Sequence, residues 1–307
     1  LHIAIVVPAF NIAALLPDAI VSVLDQRHKD WSMVIVDDGS TDDTASVAAD
    51  FRDHRITILR QRHAGVSAAR NAGVAAVLRA RPEALLFLDG DDWLGPDALA
   101  MLDETLADSP WAVAAAGRYA RIGLDVSARL SPVTARGCLL EKLLTRNLFA
   151  NGGHLLIRRE AIEAAGPFST DLCYGEDWEY WTRLALLGEF VAVPSAQPLL
   201  FVRERLGGAY LSRATDASAY RPAMEAIYRN PAMAARLGTV RLGALRRRAD
   251  AEMAWTVGRE MVRHGRRREG LGWLGWSIRI APGLKRLLLV AMACLRRGPF
   301  RPYRTSY

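Results

Sequence analysis

Leu85-Leu86-Phe87-Leu88-Asp89-Gly90-Asp91-Asp92-Trp93 runs four apolar residues straight into three carboxylates set around one glycine. Nothing polar interrupts the apolar run, so it reads as a buried strand. The acidic cluster falls just past the carboxyl end of that strand, which is where ligands bind in an open α/β sheet. Carboxylates this close repel one another unless something positive sits among them. A divalent cation that prefers oxygen ligands, Mg²⁺ or Mn²⁺, answers that need. The competing reading is a solvated acidic turn capping the helix that begins near Pro96, and Asp-x-Asp alone does not decide between them.

Upstream, the same grammar repeats. Ile3 to Val7 is a β-branched apolar run stopped by Pro8-Ala9-Phe10-Asn11, and Met33 to Val36 is a second, stopped by Asp37-Asp38-Gly39-Ser40. Ile56 to Leu59 gives a third strand. Leu16, Ile20, Val23 and Leu24 recur at helical spacing. Gly65 to Leu78 gives a helix of small residues (Ala68, Ala69, Ala72, Gly73, Ala75, Ala76) suited to lying close on a sheet. Strand and helix alternate through residue 107, which predicts a parallel sheet with right-handed crossovers. Asn11, Asp37, Asp38, Asp89 and Asp91 then converge on one sheet edge, which favours a site over a solvated turn.

Further along, Trp111 to Gly117 reads as a strand, and residues 118–136 as antiparallel additions to the same sheet. Gly137 to Arg146 reads as a helix, Gly153 to Ile157 as a strand and Arg159 to Ala165 as a short helix stopped by Gly166-Pro167. Glu176 to Leu187 has a helical stripe and a stop at Gly188, and Phe190 to Val193 is the expected last strand. Gly207-Gly208 reads as a mobile loop. Beyond Tyr220 the pattern is helical and basic. The expected division is a first domain over 1–205 and a basic helical region over 206–307.

The 307 residues can bury a substantial core, and 51% hydrophobic with 24% charged is ordinary for a globular protein. The net charge of +7 is uneven: from Arg236 onward 17 Lys and Arg face 4 Asp and Glu, a net of +13, leaving −6 for the first 235 residues. Cys138, Cys173 and Cys294 lack zinc or CxxC spacing, which suggests free thiols in a reducing compartment. The first apolar run has no basic flank, so no signal peptide is expected. Leu287 to Leu295 is too short to span a bilayer.

Five segments together resemble the family-two inverting glycosyltransferases of bacteria, whose α/β fold, a Rossmann-like mostly parallel sheet flanked by helices, is called GT-A. They are Val7-Pro8-Ala9-Phe10-Asn11, Val36 to Asp42, Ala64 to Gly73, Phe87 to Asp92, and Gly175-Glu176-Asp177-Trp178, in the family's order. The likeness covers about residues 1–205, with a C-terminal helical appendage beyond. It implies a nucleoside-diphosphate sugar as donor, UDP favoured, and a glycan or lipid-linked hydroxyl as acceptor. It implies Mn²⁺ or Mg²⁺ as cofactor, held by Asp91 with Asp89 nearer the ribose or bridging through water. Asp92 is expected to cap the next helix, with support of the metal as the alternative.

The resemblance also distributes the remaining roles. Asp38 matches the position that accepts a hydrogen bond from the nucleobase, and Phe10 the one that stacks on it, with core packing as the alternative for Phe10. Pro8, Ala9, Asn11 and Gly90 line the same nucleotide slot. Arg70 is expected beside the nucleotide, pairing with Asp38 or a phosphate. Asp177 matches the general base and Glu176 its orienting neighbour, against the plain alternative that acidic residues favour a helix's first turn. Trp178 is expected in the core with acceptor contact as the alternative, and His154, on a strand facing the acceptor side, is a structural residue or an extra metal ligand. Arg203 is expected on a phosphate once the following loop closes. The Gln-x-x-Arg-Trp motif of processive synthases is absent after Asp177, which favours single-sugar transfer.

In the basic region, Leu271, Trp273, Leu274 and Trp276 lie among arginines. Such a segment suits an anionic bilayer surface, or packs on the catalytic domain or on a second copy in a homo-oligomer. Nucleic acid is not an expected partner, because no recognised module is present. The expected location is cytoplasmic, with peripheral contact at the inner face of the plasma membrane. Rival functions are a haloacid-dehalogenase-type phosphatase using Asp89 as nucleophile, and a non-catalytic scaffold that binds nucleotide sugars. A nucleotidyltransferase lacks its glycine-rich first loop here.

Overall fold

The computed structural model describes residues 1–124, 126–132, 136–205, 213–283, 286–287 and 290. The Gly207-Gly208 loop and Cys294 lie outside them. The chain forms two compact units, one of Leu1–Leu139 with Leu148–Glu204, the other of Leu140–Asn147 with the described residues from Arg205 onward.

In chain order the elements are β1 (Ile3–Ala9), α1 (Leu16–Leu24), β2 (Trp31–Asp37), α2 (Thr44–Asp50), β3 (Ile56–Arg60), α3 (Val66–Val77), β4 (Ala84–Phe87), β5 (Trp93–Leu94), α4 (Ala98–Ala107) and β6 (Ala112–Ala116). There follow β7 (Arg118–Ile122), β8 (Ala128–Leu130), α5 (Leu140–Thr145), β9 (Leu155–Arg158), α6 (Arg159–Ala165), α7 (Glu176–Leu187), β10 (Glu189–Ala192) and β11 (Pro198–Arg203). The helices α8 (Ala217–Arg229), α9 (Pro231–Leu237), α10 (Thr239–Arg263) and α11 (Arg267–Ile280) complete the described chain.

The first unit is a mixed α/β body built on a seven-stranded sheet in the order β10-β6-β9-β4-β1-β2-β3. All pairings are parallel except those of β9, which runs antiparallel to β4 and β6. All seven residues of β1 are buried, as are all four of β4. These strands are therefore continuous apolar runs, as strands covered on both faces require. The register sets Ala9 opposite Asp37 and Val6 opposite Phe87, so the polar stops of β1, β2 and β4 end at one edge. The main chain seals that alignment: Asp38 N donates to Ala9 O at 2.9 Å and Leu88 N to Val6 O at 3.0 Å.

Two sequence expectations change here. Residues 118–136 do not extend the main sheet. β7 and β8 pair antiparallel within a second, four-stranded sheet of order β5-β11-β7-β8. And β10 is not the last strand, because Pro198-Leu199-Leu200-Phe201-Val202-Arg203 forms β11, parallel to β7 and antiparallel to β5. Proline is tolerated because it is the strand's first residue.

The second unit is helical. α10 and α11 run close together because Gly258 and Gly270 face each other. A Cβ on Gly258 would lie 2.8 Å from Gly270 O, and one on Gly270 2.6 Å from Gly258 O. Ser277 Oγ then donates to Ala251 O at 2.7 Å. Leu274, expected on an exposed stripe, is instead buried in this hairpin, while Trp276 stays 39% exposed. No helix among the described residues is long and apolar enough to cross a membrane.

Candidate active site

At the end of β1, Phe10 is 40% exposed and stacks on the His63 ring, with centroids 4.1 Å apart and planes at 23°. That exposure removes the core-packing alternative. Asn11 has φ of +50° and accepts from Thr41 N at 2.8 Å, which turns the chain away from the sheet edge. Pro8 and Ala9 remain in β1 beneath it. Gly90 brings the acidic turn close to this strand: a Cβ there would meet Ile12 Cδ1 at 2.5 Å and Pro8 O at 3.2 Å.

The buried Asp38 carboxylate is held by the segment leading into α3. Oδ1 accepts from Gln61 Nε2 at 2.6 Å and Ala64 N at 2.9 Å. Oδ2 accepts from Gly65 N at 2.8 Å and lies 2.9 Å from His63 Nδ1. A carboxylate has about four lone-pair positions, so a nucleobase N–H reaching Asp38 would have to displace Gln61 or His63.

Arg70, on α3, does not pair with Asp38. It is 4% exposed, and its guanidinium donates to Asp89 Oδ1 at 2.8 Å and Glu176 Oε1 at 3.0 Å. Burial alone would disfavour its charge, but Asp89 and Glu176 outweigh burial and keep it protonated. Its Nε is buried with no hydrogen-bond partner. Arg70 thus ties the acidic turn after β4 to the first turn of α7.

Asp92 does not cap α4, whose N-cap is Asp97. It is buried, accepting from Asn151 Nδ2 at 2.6 Å and Arg203 N at 2.8 Å. Burial, with Asp91 and Asp89 alongside, pushes its carboxyl well above the usual range. Asn151 Nδ2 also donates to Asp89 Oδ2 at 3.1 Å. Arg203 sits at the end of β11, where its Nε donates to Asp91 O at 3.2 Å and its Nη2 to Asp18 at 2.5 Å. Its guanidinium also lies over the Trp93 ring at 4.9 Å.

α7 opens after Gly175, whose φ of +76° sets the entry turn. Asp177 is pushed up to about 7, chiefly by burial and then by the Glu176 charge, with Arg70 and the Trp178 N–H acting against the rise. Trp178 and His154 are buried, at 5% and 1% exposed, which favours the structural reading of each over acceptor contact. The His154 Nδ1 meets Gly117 O at 2.8 Å and Nε2 accepts from Ala150 N at 3.4 Å. Burial pulls its pKa down to about 4, and with both ring nitrogens engaged by the main chain the neutral imidazole fits a structural role.

Sequence reasoning missed Asn151, Gln61 and His63. Gln61 and His63 sit just ahead of the Ala64 to Gly73 segment, where polar residues following a strand were a usable signal. Asn151 gave none, since its partners lie 59 and 62 residues earlier.

Hard oxygen donors are what the turn offers a cation, with the carboxylates of Asp89, Asp91 and Asp92 set within four residues. Among the described residues no three His, Cys, Asp or Glu side chains form a cage that could hold a metal alone. Mg²⁺ is ordinarily bound by one or two carboxylates plus substrate phosphates, and Asp91 and Asp89 fit that arrangement.

A mostly parallel sheet body carrying an acidic turn, an exposed aromatic and a carboxylate-headed helix defines a mixed α/β class of fold with its polar site at the carboxyl edge of the sheet. The profile of glycosyl transferase family 2 matches residues 4–165, just over half of the chain, and the chain belongs to that family. Glycosyltransferase GlyA of Streptococcus pneumoniae is 32% identical over 119 residues, 38% of this chain and 17% of that protein. The matches span 17 to 38% of the length of three such curated relatives. Among solved structures, S. aureus TarS 1–349 with UDP-GlcNAc aligns at a TM-score of 0.69 and 15% identity, over 96% of this chain and 87% of that one. The mannosyltransferase PcManGT of Pyrobaculum calidifontis, with GDP-Man and Mn²⁺, aligns at 0.56 and 19% over 95% and 79%. At these identities the two structures establish the likeness of fold.

Proposed function

We propose that the chain transfers one sugar from a nucleoside-diphosphate sugar, UDP favoured, to a hydroxyl of a glycan or lipid-linked acceptor, with inversion. The observation that carries this is the Asp89–Arg70–Glu176 bridge, which joins a donor-side acidic turn to the helix bearing Asp177. Phe10, exposed at the mouth of the slot, stacks on the base, with Pro8, Ala9, Asn11 and Gly90 around it. Asp38 binds the base after Gln61 or His63 swings aside. Asp91 and Asp89 would hold Mn²⁺ or Mg²⁺, which when bound neutralises charge growing on the leaving diphosphate.

Asp177 accepts the acceptor hydroxyl's proton while that oxygen bonds the anomeric carbon on the face opposite the breaking bond to diphosphate. A carboxylate with a pKa near 7 is a competent base at neutral pH. Glu176, held by Arg70, orients it, and Arg203 keeps the acidic turn in place beside the phosphates. Domain limits of 1–205 and 206–307 suit this division of labour, with the basic region near an anionic inner membrane face.

Calorimetry with UDP, GDP, TDP and CDP, each with and without Mn²⁺, tests the reading. One nucleotide binding only with metal, and lost in Asp91→Ala, is expected. Metal-independent binding, or none, would overturn the metal-assisted transferase reading. Binding with neither hydrolysis nor transfer on supplied glycan acceptors would favour the scaffold. Family membership sets the phosphatase aside.

A further inference from the structure

We propose that the helical unit carries a second binding site, for a neutral oligosaccharide, in the groove lined by α8, α10 and α11. The groove has a volume of about 840 Å³, inside the roughly 300–1,000 Å³ range of small-ligand sites. Its deep side is apolar, formed in part by the buried Met224 and Met261. Trp273 and Trp276 line it together, edge to face with centroids 5.6 Å apart. The Trp276 indole is 39% exposed, so part of its face is open to a ligand.

Charge selects the ligand. Three arginines (Arg221, Arg246, Arg266) and four carboxylates (Asp216, Glu225, Asp250, Glu269) line the groove, a net of −1. The sequence from Arg236 onward carries +13, whereas the groove's own lining is close to neutral. An anionic headgroup or nucleic acid would meet carboxylates here. A sugar hydroxyl differs, because it donates to a carboxylate and accepts from a guanidinium at once. Its C–H face stacks on an indole. Arg266 makes a two-fold contact with Glu269 at 2.7 and 3.0 Å, and Arg246 sits 3.5 Å from Asp250 and over the Tyr228 ring at 5.0 Å, so donors and acceptors lie side by side along the groove. The site is independent of the transferase reading. If that reading also holds, the groove would retain an acceptor chain.

The test titrates the whole chain with maltohexaose, mannotetraose and an N-acetylglucosamine tetramer, using calorimetry and saturation-transfer NMR. Saturable binding of at least one is expected, weakened about tenfold or more in Trp276→Ala and unchanged in Asp91→Ala or by added UDP. Should Trp276→Ala fail to fold, Asp250→Asn is expected to weaken binding likewise. No saturable binding to any of the three would overturn the proposal, as would binding indifferent to both variants. Competition by UDP would assign the sugar to the catalytic edge. Binding of phosphatidylglycerol vesicles that Trp276→Ala abolishes, without sugar binding, would replace the oligosaccharide with a lipid surface.

Discussion

Arg70 and Arg241 each hold a carboxylate from a distant stretch of chain, in opposite surroundings. Arg70 is 4% exposed and shared between Asp89 and Glu176 in the first unit. Arg241, in the helical unit, makes a two-fold contact with Glu141 at 2.9 and 2.5 Å, with both side chains more than 40% exposed. The Arg70 guanidinium is desolvated, and its partners Asp89 and Glu176 keep only 26% and 13% exposure. The Arg241 pair sits in solvent that screens it and substitutes for it. Similar hydrogen-bond geometry therefore predicts unequal consequences, and the contrast can be tested from its strongest end.

Asp177→Asn should lower kcat by about 10²–10⁴-fold, the usual worth of a general base, if Asp177 takes the acceptor proton. Folding should not suffer. The carboxyl is raised to about 7 in the folded chain against 3.8 for its ordinary value. The folded state thus binds more protons than the unfolded state between about pH 4 and 7, and wild type loses stability as pH rises through that window. Asp177→Asn should accordingly melt with wild type at pH 4 and above it at pH 8. The wild-type kcat/KM should climb with pH through a limb near 7. A variant that is equally active, or less stable at pH 8, would remove Asp177 from the role.

Next comes Arg70→Ala, expected to cost about 3–5 kcal/mol because it strands two carboxylates at a poorly solvated edge. Chemical denaturation reads this directly. Arg70→Lys keeps the charge but cannot span Asp89 and Glu176 with a planar fork, so it should recover only part of the loss. A loss below about 1 kcal/mol for Arg70→Ala would place the pair with the solvent-exposed class and dissolve the contrast.

Asn151→Ala is the intermediate case. One amide nitrogen serves both Asp89 and Asp92, and its removal leaves two carboxylates each short of a donor, at a cost of about 1–3 kcal/mol. Loss of metal-linked nucleotide affinity should accompany it, since the same turn carries Asp91. Full stability with unchanged nucleotide binding would show that Asn151 only fills space.

These residues also mark what the sequence disclosed. The sheet edge was legible because Asn11, Asp37, Asp38 and Asp89 each interrupt an apolar strand, an interruption visible within five residues. Arg70 was legible as a site residue but not in its partners: helical spacing fixes which way a side chain leaves its helix, whereas the choice among Asp38, Asp89 and Glu176 depends on sheet register. β11 was missed because Pro198 and the arginines that follow read as loop, and β5 because two residues carry no period. In the helical unit arginines are everywhere, so none stands out. Leu274 and Trp276 look alike in sequence, yet one is buried by the Gly258–Gly270 approach and the other is not.

The smallest effect belongs to Arg241→Ala. The contact is two-fold and joins α5 to α10, so on geometry alone it resembles Arg70 and invites the same forecast. Solvent argues otherwise. Both groups regain full hydration when separated, and ordering two long side chains offsets most of the attraction between them. The melting temperature should therefore move by about 2 °C or less, and the double variant with Glu141→Ala should show near-zero coupling. Raising salt should shrink even that residue of effect, while leaving the Arg70→Ala penalty almost intact. A shift at Arg241 comparable to that at Arg70 would mean that geometry outranks burial in this chain, and the contrast drawn between the two arginines would fail at its base.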